Sequence, residues 1–132
     1  MGACTGVTDG GLERFAVARQ ALQNHSPAAG GGLRKLSVMN CPRLTNKTLQ
    51  AVADRLPEVL DLCIYGCYKM TDEGLIGFKR GCCLCRLNTS GCYKITDSGT
   101  RYLIQVRPSL LLYHKPRDFY LPTLPLYKGL SA

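Results

Sequence analysis

The sequence predicts an α/β repeat fold: about three and a half strand–helix units, with a parallel sheet on the concave face and helices on the convex face. Three observations carry this. The decapeptide "GCYKMTDEGL" at 66–75 returns as "GCYKITDSGT" at 91–100. Apolar residues before each copy alternate as in a strand, and those after it follow helical spacing. Cysteines recur at a nearly fixed interval, 26 residues from Cys41 to Cys67 and 25 from Cys67 to Cys92.

The strands come first. "LRKLSVMNC" (33–41), "VLDLCIYGC" (59–67) and "LCRLNTSGC" (84–92) align on their final cysteine. They share Leu33, Leu36, Val38 and Cys41; Val59, Leu62, Ile64 and Cys67; and Leu84, Leu87, Thr89 and Cys92. Alternation turns the Leu and Val positions inward, and the cysteine enters the core as the chain leaves the strand.

The helices follow. Thr8, Thr45, Thr71 and Thr96 suit the N-cap, where a hydroxyl accepts from an orphan helix N–H. Asp9, Asp72 and Asp97 fall in the first turn, where a carboxylate complements the helix dipole. Leu49, Val52, Ala53 and Leu56, then Leu75 and Phe78, then Leu103 and Val106 give each helix an apolar face. A further helical half, "ACTGVTDGGLERFAVA" (3–18), opens the chain. The segment "QNHSPAAGGG" (23–32) reads as a loop inserted in the repeat domain, which is expected to span 1–115. Beyond Leu110 the pattern decays, with Tyr113, Lys115 and Asp118 at the Leu, Leu and Cys positions, and a fading fourth strand offers Leu112 and His114 to the outer face. Residues 116–132 read as an irregular, proline-containing tail. One strand and one helix per 25–26 residues is the period of a leucine-rich repeat, so the predicted architecture is a short leucine-rich-repeat solenoid.

"LDLCIYGCYKMTDEGLIGF" and "LNTSGCYKITDSGTRYL" resemble the cysteine-containing leucine-rich repeats of F-box/leucine-rich-repeat proteins. The resemblance covers residues 3–110, broken by 23–32. It implies a curved solenoid that binds proteins, and an F-box that recruits the solenoid to a ubiquitin ligase scaffold. Residues 1–2 leave no room for an F-box here, so a truncated or degenerate form is expected.

Seventeen Lys and Arg against nine Asp and Glu give a net charge of +8, which favours an acidic partner surface. No apolar run is long enough for a membrane helix and no secretory signal opens the chain, so an intracellular location and reduced thiols are expected. The cysteine column, Cys4 included, reads as buried packing with weak S–H bonds to a neighbouring repeat's backbone. The run "CCLC" (82–85) lacks a second cysteine pair, and His25 and His114 lie far from it in sequence, so neither zinc nor a catalytic cysteine is expected. Cys82 takes the position of Leu56, and Cys85 points off its strand. No phosphate loop, paired-carboxylate motif or hydrolase elbow is present, so no enzyme activity and no cofactor are expected.

Strand alternation assigns the outward residues to three rows across the repeats: Lys35, Asp61 and Arg86; Ser37, Cys63 and Asn88; Met39, Tyr65 and Ser90. The first alternates in charge. The third carries Met39 and Tyr65, types favoured at protein interfaces, with Tyr65 the expected anchor. A second series, Arg43, Lys69 and Lys94, makes a basic edge, with Tyr68 and Tyr93 beside the two lysines. The expected function is non-enzymatic protein binding, the partner being of the class presented to a ubiquitin ligase. The alternative is a basic binder of nucleic acid or another acidic surface, and the repeat itself explains why Tyr and Lys recur, so that reading stands second.

Overall fold

The computed structural model describes residues 5–25, 33–79 and 83–114. Among these residues four helices and four strands alternate, a helix first: α1 (Asp9–His25), β1 (Lys35–Ser37), α2 (Asn46–Arg55), β2 (Asp61–Cys63), α3 (Asp72–Leu75), β3 (Arg86–Asn88), α4 (Asp97–Val106) and β4 (Leu111–Tyr113). Helix α3 runs directly into a 3-10 turn, Ile76–Lys79. The strands form one sheet in the order β1-β2-β3-β4, every pairing parallel. Consecutive strands are neighbours because each helix carries the chain back across one face before the next strand begins.

Register makes the repeat visible in space. Leu36 pairs with Leu62, Leu62 with Leu87, and Leu87 with Leu112. Leu62, Leu87 and Leu112 are buried, and Leu36 packs against them half-buried at the β1 end. The inner row above continues as Val38, Ile64 and Thr89 and ends in His114, all buried. Leu44, Met70 and Ile95 then close the turn side of the core, and Leu49, Val52, Leu75, Phe78 and Leu103 reach it from the helices. Phe78 is buried although the 3-10 turn, not an α-helix, carries it. Val106, expected on the apolar face of α4, is 38% exposed, because the helix ends there and its last turn has left the core.

Each of the first three strands ends in the same left-handed turn. Asn40, Gly66 and Gly91 have φ of 53°, 76° and 80°, one step before Cys41, Cys67 and Cys92. Asparagine and glycine tolerate that region best, which is why they alone fill the position. The turn lets the ladder run on past the strands: the Asn40 N–H donates to Tyr65 O and the Gly66 N–H to Ser90 O.

The cysteines behave as the sequence suggests. Cys41, Cys67 and Cys92 are buried, and the Cys67 thiol donates to the Val38 carbonyl at 2.9 Å, the Cys92 thiol to that of Ile64 at 3.0 Å. Cys4 and Cys82 lie outside the described residues.

Two expectations need correction. Residues 23–25 are the last turn of α1, so the insertion begins no earlier than residue 26, and 26–32 lie outside the described residues. The fourth strand is regular, and it sits one residue earlier than the sequence alignment placed it. Leu112 and His114 face inward, while Leu111 and Tyr113 face out. A slip of one residue exchanges the two faces of a strand. Of the expected tail, 116–132, and of Lys115 nothing is described.

Candidate protein-interaction face

The exposed side of the sheet carries the predicted rows in register. Lys35 pairs with Asp61, Asp61 with Arg86, and Arg86 with Leu111; Ser37 pairs with Cys63, Cys63 with Asn88, and Asn88 with Tyr113. Charge alternation in the first row produces one ion pair, Arg86 Nη1 to Asp61 Oδ2 at 3.3 Å. It is solvent-exposed and contributes orientation more than stability. Lys35 and Ser37 are exposed, and Cys63 and Asn88 are half-buried.

The third row lies on the turns just past the strands. Met39 is 39% and Tyr65 42% exposed, whereas Ser90 is only 9% exposed. Ser90 therefore leaves the outward set. Its N–H is tied to Asn88 Oδ1 at 2.9 Å and its carbonyl accepts from Gly66, so the turn folds it down. In its place the corrected register brings Leu111 and Tyr113, 39% and 49% exposed, to the far edge of the face. Counting 25 residues on from Arg86 and Asn88 finds both in the sequence. Apolar Met39, aromatic Tyr65 and the Leu111–Tyr113 pair thus flank a central carboxylate–guanidinium pair.

The second series lies on the loops that follow the cysteines. Arg43, Lys69 and Lys94 are all exposed. Arg43 reaches back to the Thr5 carbonyl at 3.4 Å. Between the two lysine-bearing loops, Tyr68 and Tyr93 stack nearly parallel, 5.9 Å apart with planes 4° from each other.

Under the loops a set of side-chain hydrogen bonds joins each repeat to the next, and the sequence did not disclose it. Asp9 accepts from the Thr45 N–H at 2.9 Å and from the hydroxyls of Thr45 and Thr48 at 2.7 and 2.6 Å. Asn46 accepts from the Thr71 N–H and donates to the Thr71 hydroxyl. Asp72 accepts from the Thr96 N–H and hydroxyl at 2.7 and 2.6 Å. The first helical residue of one unit thus seats the capping threonine of the next. Thr8, Thr45 and Thr96 also cap their own helices, as expected. Thr71 makes no side-chain cap bond, because its hydroxyl is held by Asn46. Burial pushes the Asp9 carboxyl up, but hydrogen bonds from Thr45 and Thr48 and the nearby Lys47 charge outweigh it and hold it below its ordinary value.

Among the described residues no group of three or more His, Cys, Asp or Glu is placed to hold a metal ion. Cys83 and Cys85 are exposed to either side of buried Leu84. No described helix is long and apolar enough to cross a membrane.

No protein-family model matches the chain, and no curated protein matches it in sequence. Among solved structures it is similar to a chain of the yeast Rad7 and Elc1 complex, with a TM-score of 0.57 and 18% identity over 83% of this chain and 29% of that one. At that identity the likeness shows the fold alone, and it is consistent with a leucine-rich-repeat-like arrangement. The chain spans less than a third of the length of that relative.

Proposed function

We propose that the chain is a non-enzymatic protein-interaction module whose units form a short leucine-rich-repeat solenoid, with the outer face of the sheet as its binding surface. The observation that carries this is the register. It gathers Tyr65, Met39, Leu111 and Tyr113 around the Asp61–Arg86 pair, an apolar and aromatic set enclosing a fixed charge pattern. Aromatic anchors beside an oriented guanidinium are the residue types that dominate binding at protein interfaces. The likeness to a chain solved in a two-protein complex supports the reading.

The wording of the repeats supports a finer one: an intracellular substrate-recognition part of an F-box/leucine-rich-repeat ubiquitin ligase subunit, its partner a protein presented for ubiquitination. The test places a photo-crosslinking amino acid at residue 65 of the full chain in cells. Tyr65→Ala combined with Arg86→Glu then serves as bait against the unaltered chain. A protein crosslinked at residue 65 that the unaltered chain also pulls down and the double variant does not supports the placement. Equal recovery by both baits sinks it.

A second reading rests on a separate observation, the exposed Arg43, Lys69 and Lys94 edge with its stacked tyrosines. Such an edge suits a nucleic-acid backbone with bases stacked on the rings. Fluorescence anisotropy with a single-stranded oligonucleotide decides it. Binding through phosphates weakens steeply as salt rises, and an affinity flat in salt ends this reading.

A further inference from the structure

The charge of the molecule is not spread evenly. Six of the eight described carboxylates, Asp9, Glu13, Asp54, Asp72, Glu73 and Asp97, stand on the helices, where Arg14, Arg19, Lys47, Arg55 and Arg101 nearly balance them. The sheet face and the loops that follow the cysteines hold Lys35, Arg43, Lys69, Arg86 and Lys94 against one carboxylate, Asp61. Asp72, the helix carboxylate closest in sequence to Lys69, is spent on Thr96. Most of the excess positive charge of the described residues therefore lies on the side proposed as the binding surface.

Asp61 does not cancel it. Its carboxylate accepts from Arg86 Nη1, one of the five N–H donors of a guanidinium. The Arg86 side chain is 57% exposed. The pair fixes the guanidinium over the sheet and leaves the rest of its planar fork for a second carboxylate, which it can hold with two bonds. Lys35 flanks Asp61 on the other strand, is exposed, and makes no ion pair among the described residues.

Apolar surface separates these cations from the basic edge. In chain order Met39 falls between Lys35 and Arg43, and Tyr65 between Asp61 and Lys69. The turns bearing Met39 and Tyr65 are adjacent, joined by the Asn40 N–H to the Tyr65 carbonyl. A chain crossing the strands here meets an apolar stripe with cations on both sides. Asp61 selects between polyanions. A phosphate backbone is charged at every nucleotide and would meet that carboxylate, whereas a polypeptide can set a neutral residue over it.

Resting on the reading of this face as a binding surface, we propose that its partner presents an acidic polypeptide segment. An apolar side chain of the segment sits against Met39 and Tyr65. Its carboxylates reach Lys35, the open side of Arg86 and Lys69, and an uncharged residue lies over Asp61.

The test is fluorescence anisotropy of the full chain with a labelled nine-residue peptide of one central Phe, four Glu and four Ser. The acidic peptide should bind, a counterpart with Lys for Glu should not, and one with Ser for Phe should bind more weakly. Lys35→Glu should weaken binding roughly tenfold. Arg101→Glu makes the same change in net charge on exposed α4 surface, and should alter binding by less than about twofold. Far-ultraviolet circular dichroism checks that both variants are folded. Equal losses from the two would show that net charge alone attracts the peptide, and would overturn the proposal. So would failure of the acidic peptide to bind, or a nine-nucleotide single strand that binds more tightly and is lost with Lys35→Glu. The partner peptide crosslinked at residue 65 separates this proposal from the reading beneath it. An acidic crosslinked segment supports both, a neutral or basic one overturns this proposal and leaves the reading standing, and no crosslinked protein removes both.

Discussion

The Cys92 thiol donates to the carbonyl oxygen of Ile64, one repeat back, at 3.0 Å. The same oxygen accepts from the Cys67 N–H at 3.1 Å, so the thiol supplements a backbone bond and does not replace one. The Cys67 thiol likewise donates to the Val38 carbonyl. Sulfur thus joins neighbouring turns in a place too small for a larger side chain.

Reactivity should follow from this. Burial, with Cys67 close by, pushes the Cys92 thiol up to about 12. At pH 8 the reactive thiolate is then on the order of 10⁻⁴ of the population. Cys83 and Cys85 are exposed. Iodoacetamide on the native chain should modify Cys83 and Cys85 within minutes and reach Cys41, Cys67 and Cys92 only on unfolding, as read by peptide mass spectrometry. Equal labelling of both sets would contradict the packing. Cys92→Ala should cost about 1 kcal/mol, most of it the small cavity left behind.

Glycines of the repeated motif should split by their surroundings. An alanine Cβ at Gly99 would press into the Asp72 carboxylate, and one at Gly74 into the Asn46 and Leu49 side chains. Gly99→Ala and Gly74→Ala should each destabilise by roughly 1–3 kcal/mol through overpacking and a displaced rung. Gly11→Ala has room and sits in a helix, so it should stabilise by up to about 1 kcal/mol. Urea unfolding at low protein concentration compares the three, and a Gly11→Ala loss equal to that of Gly99→Ala would refute the distinction.

The repeat phase was legible because each strand carries its own marker. Leu62 and Leu87 stand two residues before a branched inner residue and five before a cysteine, so cysteine-anchored alignment placed three strands and the first two rows in register. The fourth strand has no such cysteine. Leu84 to Leu110 is 26 residues while Leu87 to Leu112 is 25, and with nothing to anchor it the alignment slipped by one and turned Leu112 and His114 outward. Ser90 was missed for a different reason. Alternation describes a strand, and at Ser90 the strand has given way to the Gly91 turn. The ladder was missed because Asp9 and Asp72 satisfy a local rule, acid in the first turn, which hides that their oxygens are spent on the next repeat.

That ladder makes a sharp comparison at its first rung. Asp9→Ala leaves the buried Thr48 hydroxyl and the Thr45 N–H without their acceptor. A loss of roughly 1–3 kcal/mol is expected. Asp9→Asn should lose markedly less, since an amide oxygen serves Thr71 from Asn46. Because the Asp9 carboxyl is held below its ordinary value, its contribution is present above pH 3.8 and is lost as pH falls through the lower folded value. The stability gap between Asp9→Ala and the unaltered chain should therefore hold steady above that pH and narrow below it. Equal destabilisation by Ala and Asn would show that the rung does not act through its acceptor oxygen.

His114 supplies a second pH window, higher up. It ends the inner row where the other units place Val38, Ile64 and Thr89, and its Nδ1 lies 2.8 Å from the Thr89 hydroxyl. Burial lowers its proton affinity below the ordinary value of 6.5, against the opposing pull of the Thr89 backbone and the Asp97 and Asp72 carboxylates. The unfolded chain then binds the proton more readily than the folded one, so stability rises with pH across this window. The contribution is present above pH 6.5 and is lost as pH drops through the lower folded value. His114→Gln removes the titrating group and keeps a polar partner for Thr89. Melting temperatures at pH 7.5 and 5.5 should fall for the unaltered chain and hold nearly level for the variant. Parallel slopes for the two would mean that the proton taken up on unfolding binds elsewhere.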